Sequence, residues 1–278
     1  MTTGFFVDDL VYVNAAEPPP STPLGIECQL FDDADAAAAA GWTGNRNRDA
    51  ELGTGYGFSD SNNAGGAPRE MGGVVPGRTS VVSSYADTTL GGSLSQNLPL
   101  TATGRFTVTS IDGLDGGFEI GFFDAGTLDG TPAFIGARIV DGTGSSLRWW
   151  PRRDVNGSSE AGGETNQLVV GEDYLFELSY DPSGGGPGIG RLAVEFTRAS
   201  DNTSLGVRSL DFTTLGTEVN LNAFGMKTLD FNANVGGQAN IFLDDLKYTK
   251  IVPEPSALAI VVAGLMVSCI AVRRRRGR

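Results

Sequence analysis

The fold is decided by the stretch Tyr174-Leu175-Phe176-Glu177-Leu178-Ser179-Tyr180, a loop over 181–190, and the run Leu192-Ala193-Val194-Glu195-Phe196-Thr197. In both runs apolar and polar residues alternate. A period of two is typical of a half-buried β-strand, because successive side chains of a strand point to opposite faces of the sheet. The intervening loop is rich in glycine, so the stretch predicts two antiparallel strands.

Short runs with the same alternation recur along residues 24–250, at intervals of roughly 8–15 residues. They are Gly104–Thr109, Phe118–Phe123, Ala133–Val140 and Ala239–Tyr248, with turn signals at Asp112-Gly113, Asp129-Gly130, Asp141-Gly142 and Asn156-Gly157. No amphipathic helix of useful length separates the runs, which disfavours a parallel α/β fold. The sequence therefore predicts an all-β, antiparallel sandwich over 24–250.

Composition excludes several classes of function. The chain has 278 residues, 40 glycines and no histidine, so Ser-His-Asp hydrolysis, Cys-His proteolysis and histidine-ligated zinc are excluded. Before Val252 there are 15 basic and 32 acidic residues. This acidity argues against nucleic acid and anionic lipid surfaces as partners, and it suits an extracellular module.

The C-terminus carries a membrane-targeting signal. Val252-Pro253-Glu254-Pro255 is followed by an uncharged apolar run over 256–272 and then by Arg273, Arg274, Arg275 and Arg276. As a helix the run spans about 25 Å, which is at the short end of what crosses a bilayer. We therefore expect a single transmembrane helix. Clustered arginines next to a membrane span stay cytoplasmic, so the residues before Pro253 should face outward.

The order of these parts resembles the PEP-CTERM sorting signal of bacterial proteins. The resemblance covers 251–278 and implies that an exosortase cuts near Pro253-Glu254-Pro255. It also implies a route through the inner membrane, with the domain facing outward, to the cell surface or the extracellular polysaccharide matrix. The membrane and the exosortase are thus the expected partners of the tail.

The predicted sandwich is similar to the concanavalin A-like lectin/glucanase class, which includes the LamG-type domains. The similarity lies in its length, its strand number, the closing strand Ile241–Leu246 and the segment 56–73. It implies an antiparallel jelly roll and polysaccharide as a partner.

The N-terminal sequence lacks the signal that the predicted outward location of the domain requires. Residues 1–9 have no basic region and early acidic residues, so they are not a secretory signal. Residues 4–13 closely match 240–249, which suggests that 1–14 is the last strand of a truncated preceding domain and that the Pro-rich 15–23 is a linker. A late gene start, a chance similarity, or pairing of this strand beside the last strand of the same sandwich are the alternatives.

Candidate ligand-binding residues cluster in Trp149-Trp150-Pro151-Arg152-Arg153-Asp154, where aromatics, cations and an acid lie beside each other near a strand end. The residues chosen for sugar binding are Trp149, Trp150, Arg152 and Arg153. Sugars stack on aromatic rings, and polar side chains bind their hydroxyl groups. In an alternating strand one tryptophan faces inward and the other outward, so at most one of them is a stacking platform. The alternative is that a tryptophan packs the core while Arg152 and Arg153 are solvated.

Acidic loops suggest Ca²⁺, which binds six to eight oxygen ligands. Asp244 and Asp245 are the chosen candidates, and further acidic groups are Asp32, Asp33 and Asp35 and the pair Asp112 and Asp115. None has EF-hand spacing, and turn or capping roles are the alternative.

The arrangement of acidic residues within the predicted strands disfavours catalysis. Related glucanases carry carboxylates along one strand as Glu-x-Asp-x-(x)-Glu, whereas the strand around Glu119 has a single glutamate. We expect a non-catalytic surface protein that binds polysaccharide. A purely structural matrix protein and a divergent glycoside hydrolase, which needs only two carboxyl groups, are the alternatives.

Overall fold

The structure is a computed structural model that describes residues 24–29, 41–46, 56–66, 68–76, 83–112, 117–127, 132–142, 145–155, 158–186, 189–212, 219–229 and 238–251. The predictions made for 1–23 and for 252–278, and the candidates Asp32, Asp33, Asp35 and Asp115, lie outside these residues. Within them, no helix is long and apolar enough to cross a membrane.

The described residues form strands almost throughout. In chain order the strands are β1 (Leu24–Gln29), β2 (Trp42–Arg46), β3 (Tyr56–Ser59), β4 (Glu70–Pro76), β5 (Ser83–Asp87), β6 (Leu94–Ser95), β7 (Leu100–Asp112), β8 (Gly117–Phe123), β9 (Phe134–Asp141), β10 (Ser146–Val155), β11 (Ser158–Ala161), β12 (Thr165–Val169), β13 (Asp173–Gly186), β14 (Ile189–Arg198), β15 (Thr203–Asp211), β16 (Asn220–Leu221), β17 (Ala223–Thr228) and β18 (Gln238–Ile251). One 3-10 turn, Ala125–Thr127, follows β8.

The strands form two large antiparallel sheets. Sheet A has the order β15-β14-β13-β7-β18-β4-β3, with β1 also paired to β18. Sheet B has the order β11-β10-β9-β8-β17-β5-β2, with β12 also paired to β10. The short strands β6 and β16 pair with each other. The predicted all-β antiparallel sandwich is confirmed, and its arrangement is consistent with a jelly roll.

The alternation that predicted the fold is visible in the burial of β13, where Tyr174, Phe176 and Leu178 are buried and the residues between them are exposed. The predicted loop over 181–190 is shorter than expected. Strand β13 continues to Gly186, which pairs with Ile189 of β14, so the two strands form one long hairpin.

Aromatic side chains join the two sheets. Ring pairs cross the core at Phe106–Phe118, Trp149–Phe196 and Phe224–Tyr248, with centroids 5.7, 4.8 and 4.4 Å apart. The Tyr248 hydroxyl accepts a hydrogen bond from Trp42 Nε1 (3.2 Å) and donates to the buried Asp87 carboxylate (2.8 Å). These contacts place one face of each sheet in the shared core and leave the other face of each outside.

Candidate functional site

Strand β10 carries the predicted Trp-Trp-Pro-Arg-Arg run and divides it between its two faces. Trp149 has 0% of its surface exposed and packs edge-on against Phe196 at a centroid distance of 4.8 Å. Both ring faces therefore belong to the core. This corrects the prediction of Trp149 as a stacking platform, because the strand's alternation turns it inward.

Arg153 also faces inward. Its guanidinium contacts Glu160 (2.8 Å) and Gln96 (2.9 Å) and lies over the Phe212 ring at 4.7 Å from the centroid. A buried cation held by a carboxylate, an amide and a ring has a packing role. The prediction that Arg153 is available to bind a sugar is therefore corrected as well.

Trp150 and Arg152 lie on the outer face of sheet B, opposite to the core. Trp150 is half-buried, and Arg152 contacts the buried Asp154 carboxylate at 2.7 Å. Trp150 Nε1 and Arg152 Nε are both shielded from water and have no hydrogen-bond partner in the part of the chain that the structure describes. Among the described residues, the two outward residues of the predicted run thus each have a shielded N–H group without an acceptor.

A row of charged side chains crosses this outer face at right angles to the strands, and we call it the charged row. Lys227 of β17 lies opposite Glu119 of β8, which lies opposite Arg138 of β9. Arg138 in turn lies opposite Trp150. Alternation explains why they share a face: Glu119 and Arg138 each lie between two core residues of their own strand, and Lys227 follows the core residue Met226.

The charged row forms a buried ionic network. Arg138 donates to Glu119 (Nε–Oε1, 2.6 Å) and to Asp154 (Nη2–Oδ2, 3.1 Å). Lys227 Nζ also contacts Glu119 and lies 4.9 Å from the centre of the Phe134 ring. Glu119, Asp154 and Lys227 are all buried. Ionised groups are buried only when they are paired, and here each carboxylate has at least one cationic partner.

A row of glycines runs parallel to the charged row, and we call it the glycine row. Gly225, Gly121 and Gly136 lie opposite one another on β17, β8 and β9, and Gly136 lies opposite Arg152. A methyl group on Gly121 would meet the Ile135 carbonyl oxygen, and one on Gly136 would meet that of Ile120. The absence of side chains allows this close approach of the strands.

The glycine row also leaves room for the long charged side chains. Arg138 pairs across the sheet with Trp150, but its guanidinium reaches Asp154, which pairs with Phe134, four positions from Arg138 along β9. The side chain therefore has to pass over Gly136. Beyond the glycines lies a small apolar cluster formed by Ala86, Phe123, Phe134 and Ala223.

The predicted metal residues lie at a bulge in β18, on sheet A. Asp244 is fully buried, and its Oδ1 accepts the Asp245 N–H (2.7 Å). Its Oδ2 is shielded from water and has no partner among the residues that the structure describes. Burial, reinforced by the charges of Asp245 and Glu70, raises the Asp244 pKa to about 7. Asp245 accepts a hydrogen bond from Arg105 Nε at 2.9 Å. Within the described ranges, no three acidic, histidine or cysteine side chains are grouped to hold a metal.

Three residues of the outer-face network were not predicted as binding residues: Glu119, Arg138 and Lys227; Asp154 was the acid of the predicted run. The amino-acid sequence contains only a weak indication of these residues. Glu119 and Arg138 each lie between apolar residues in a strand, and glycines stand two positions from both, at 121 and 136. Only the cross-strand register shows that these residues are neighbours.

No protein-family model and no curated protein matches the chain. Among solved structures, it is similar to the lectin UEA-II complexed with galactose, with 14% identity over 66% of this chain and 86% of that one, and a TM-score of 0.38. Alginate lyase A1-II′ of polysaccharide lyase family 7 matches with 16% identity, 82% and 95% coverage and a TM-score of 0.45. The CBM2 module of the Lactobacillus casei phage J-1 evolved Dit matches with 9% identity, 84% and 93% coverage and a TM-score of 0.41. These likenesses assign neither ligand nor reaction to this chain.

Proposed function

We propose that this chain is an exported, non-catalytic bacterial surface or matrix protein that binds polysaccharide on the outer face of sheet B. Trp150 and Arg152 of β10 contact the sugar directly, with Arg138 beside them. The C-terminal tail directs the protein through the inner membrane to the surface.

One observation carries the binding proposal: Trp150 Nε1 and Arg152 Nε belong to neighbouring residues of the outer face, are shielded from water and have no acceptor among the described residues. A sugar reaches them by displacing the side chains that cover them. A buried donor without an acceptor costs about 1–3 kcal/mol. A sugar supplies hydroxyl and ring oxygens that accept such hydrogen bonds, and its apolar face packs on an aromatic ring. The pair is therefore suited to a ligand that is both oxygen-rich and flat.

The ionic network supports the same proposal because it holds the binding groups in place. Asp154 contacts Arg152 at 2.7 Å and Arg138 at 3.1 Å, and its Oδ1 accepts from Ser159 at 2.5 Å. Guanidinium groups fixed in this way lose less entropy when a ligand binds. The network thus acts as the support of the binding residues.

Affinity electrophoresis through gels containing neutral and uronate-rich polysaccharides tests this proposal. We expect retardation of the wild-type protein by at least one glycan. Trp150→Ala and Arg152→Ala should each weaken binding by about tenfold, equivalent to about 1.4 kcal/mol. Arg191→Ala, which removes an exposed arginine from sheet A, is the matched control and should leave mobility unchanged.

Trp149→Phe is a second control, because it retains an aromatic ring in the core while leaving the outer face intact. Its retardation should equal that of the wild type. Unchanged mobility of the wild type across the whole panel counts against polysaccharide binding, and it favours the alternative of a purely structural matrix protein.

The sorting proposal is supported by the sequence of the tail, Val252-Pro253-Glu254-Pro255, the apolar run 256–272 and the arginines at 273–276. Cell fractionation of a host that contains an exosortase tests it. We expect the processed protein at the surface or in the matrix, and Pro253→Ala/Glu254→Ala/Pro255→Ala to remain in the inner membrane. An identical distribution of the two proteins would contradict the sorting role.

A second candidate function is glycoside hydrolysis, favoured by one observation: Glu119 and Asp154, on strands separated by β9, both contact Arg138. Two carboxyl groups close together are the requirement of this chemistry. Release of reducing ends from a glycan that the protein binds, lost in Glu119→Gln and Asp154→Asn, would establish it. Binding without any release of reducing ends would leave the non-catalytic proposal.

A further inference from the structure

Lys227 and Glu119 form a lysine–carboxylate pair from which water is almost excluded. Their side chains are 4% and 0% exposed, and Lys227 Nζ contacts Glu119 Oε2. By contrast, Lys250 and Glu27 form a pair at 3.4 Å whose side chains are 23% and 32% exposed. A site that is closed to water protects a newly formed bond from hydrolysis, so the first pair can support chemistry that the second cannot.

Sheet B holds these two side chains against each other. Lys227 of β17 and Glu119 of β8 lie directly opposite in the antiparallel register, which places their Cβ atoms about 4.5–5.5 Å apart. The Lys227 ammonium also lies 4.9 Å from the centre of the buried Phe134 ring. Among the described residues, Glu119 is the one carboxylate that Lys227 contacts. Two groups fixed in this way are equivalent to two reactants at a high effective concentration.

Arg138 gives the two carboxyl oxygens of Glu119 different environments. Its Nε donates to Oε1 at 2.6 Å and its Nη2 contacts the same oxygen, whereas Oε2 faces Lys227 Nζ. The guanidinium is itself held by Asp154 at 3.1 Å. A fixed cation on one carboxyl oxygen stabilises the negative charge that develops there when a nucleophile adds to the carboxyl carbon. Oε1 is therefore placed as the oxyanion, and Oε2 as the leaving oxygen.

We propose that Lys227 and Glu119 condense to an intramolecular isopeptide bond that ties β17 to β8. One proton passes from Nζ to Oε2, because burial disfavours the two charges, and this leaves an amine beside a carboxylic acid. Nζ then attacks Cδ and the Nζ–Cδ bond forms. The Cδ–Oε2 bond breaks as Oε2 takes a second proton from Nζ and leaves as water. An ammonium and a carboxylate thus become one amide and one water, without an oxidant, a reductant or a cofactor.

The bond gives the sandwich a covalent cross-link that its cysteines cannot supply. Residues 24–250 contain one cysteine, Cys28, so no disulfide can form within them. A link between Glu119 and Lys227 joins residues that are 108 positions apart and restricts the unfolded chain, as a disulfide does. The link also consumes the carboxyl group of Glu119, so a linked protein cannot use that residue for glycoside hydrolysis.

Mass spectrometry of a tryptic digest of the reduced, denatured full-length chain tests this proposal. We expect a species that joins residues 106–138 to residues 209–247, weighs one water less than the two peptides together, and is uncleaved after Lys227, because trypsin does not cleave after an acylated lysine. Cleavage after Lys250 in the same digest is the internal control. Lys227→Arg, which keeps the cation without a nucleophilic amine, should release 106–138 unlinked. The matched variant Lys250→Arg should retain the link.

A reducing, denaturing gel gives an independent measurement. The linked wild type should migrate ahead of Lys227→Arg, because an internal loop makes the unfolded chain more compact. Complete cleavage of the wild type after Lys227, with 106–138 recovered at its full mass, would overturn the proposal whether or not Lys227→Arg folds. Loss of water within 106–138 while Lys227 is still cleaved would also overturn it, because this indicates a succinimide at Asp112-Gly113 instead of a link.

Discussion

The outer faces of the two sheets carry similar charged residues in different environments. On sheet A, Arg191 and Asp211 form a two-pronged pair at 2.6 and 3.0 Å, with 48% and 50% of their side chains exposed. A cleft of about 530 Å³ opens on the same face; it is lined by Thr103, Arg105, Leu175, Glu177, Glu195 and Lys247. On sheet B, Glu119 and Lys227 are almost completely removed from water.

This contrast shows how a sheet can bury charged side chains on the face that points away from the core. On sheet A the long side chains extend into solvent, and their ion pairs are exposed to screening. On sheet B, the glycine row allows Arg138 and Lys227 to lie along the sheet, where they cover one another and Phe134. Acidic and basic side chains therefore form exposed ion pairs on sheet A, whereas on sheet B they form a buried network that is part of the packed structure.

The largest expected effect comes from removing the central carboxylate of the buried network. Glu119→Ala leaves Arg138 without its 2.6 Å partner and Lys227 without its carboxylate, so the free energy of unfolding should fall by about 3–5 kcal/mol. Asp211→Ala on sheet A should cost less than about 1 kcal/mol. Urea denaturation of both variants measures the contrast, and equal losses would contradict it.

A smaller loss is expected from filling the glycine row. Gly136→Val places carbon atoms against the Ile120 carbonyl and the Phe134 ring, and it should destabilise the protein by about 2–3 kcal/mol. The matched control is Gly163→Ala, because nothing lies within 4 Å of that position, and its effect should stay within about 0.5 kcal/mol. Denaturant midpoints that do not differ between the two variants would show that the row has no steric role.

The smallest expected effect is a dependence of stability on pH, which arises from tyrosines buried in the core that both sheets share. Burial raises the pKa of Tyr180 from 10.0 to about 12, and burial beside Asp87 also raises the pKa of Tyr248. The unfolded chain then loses these protons first. Stability is complete below pH 10 and declines as the pH rises to 12, by up to about 2 kcal/mol for Tyr180.

Circular dichroism and the phenolate absorbance of the protein between pH 9 and about 12.5 check this prediction. Ionisation of the buried phenols should coincide with unfolding. Tyr180→Phe should flatten the dependence, at the cost of the 2.6 Å hydrogen bond that the hydroxyl donates to the Gln96 carbonyl. A wild-type unfolding free energy that is independent of pH between 10 and 12 would show that these phenols ionise freely in the folded state.

The local sequence pattern predicted the structural features that depend only on neighbouring residues within one strand. The alternation of 174–180 and 192–197 predicted β13 and β14. The same alternation predicted that Trp149 and Trp150 face opposite sides, but it does not show which side is the core. That choice follows from the packing of Trp149 against Phe196, a residue on the other sheet.

The outer-face network could not be predicted in this way because its members are distant in the chain. Glu119, Arg138, Asp154 and Lys227 come from four strands, and a shift of one residue in any pairing would turn a member to the opposite face. Likewise, the adjacent pair Asp244-Asp245 was visible in the sequence. The proximity of Glu70, and the Asp244 oxygen that has no partner among the described residues, depend on how β18 and β4 pair.

The amino-acid sequence alone predicts an all-β antiparallel chain, a strongly acidic domain without histidine chemistry, and a tail from which sorting is proposed. These properties depend on composition and on contacts between near neighbours, whose spacing the covalent chain sets. Tertiary packing selects which tryptophan faces outward and which charges are buried together, and within the described residues it leaves one carboxylate oxygen without a partner. Those outcomes depend on cross-strand register and on packing between sheets, which bring together residues that the chain keeps far apart.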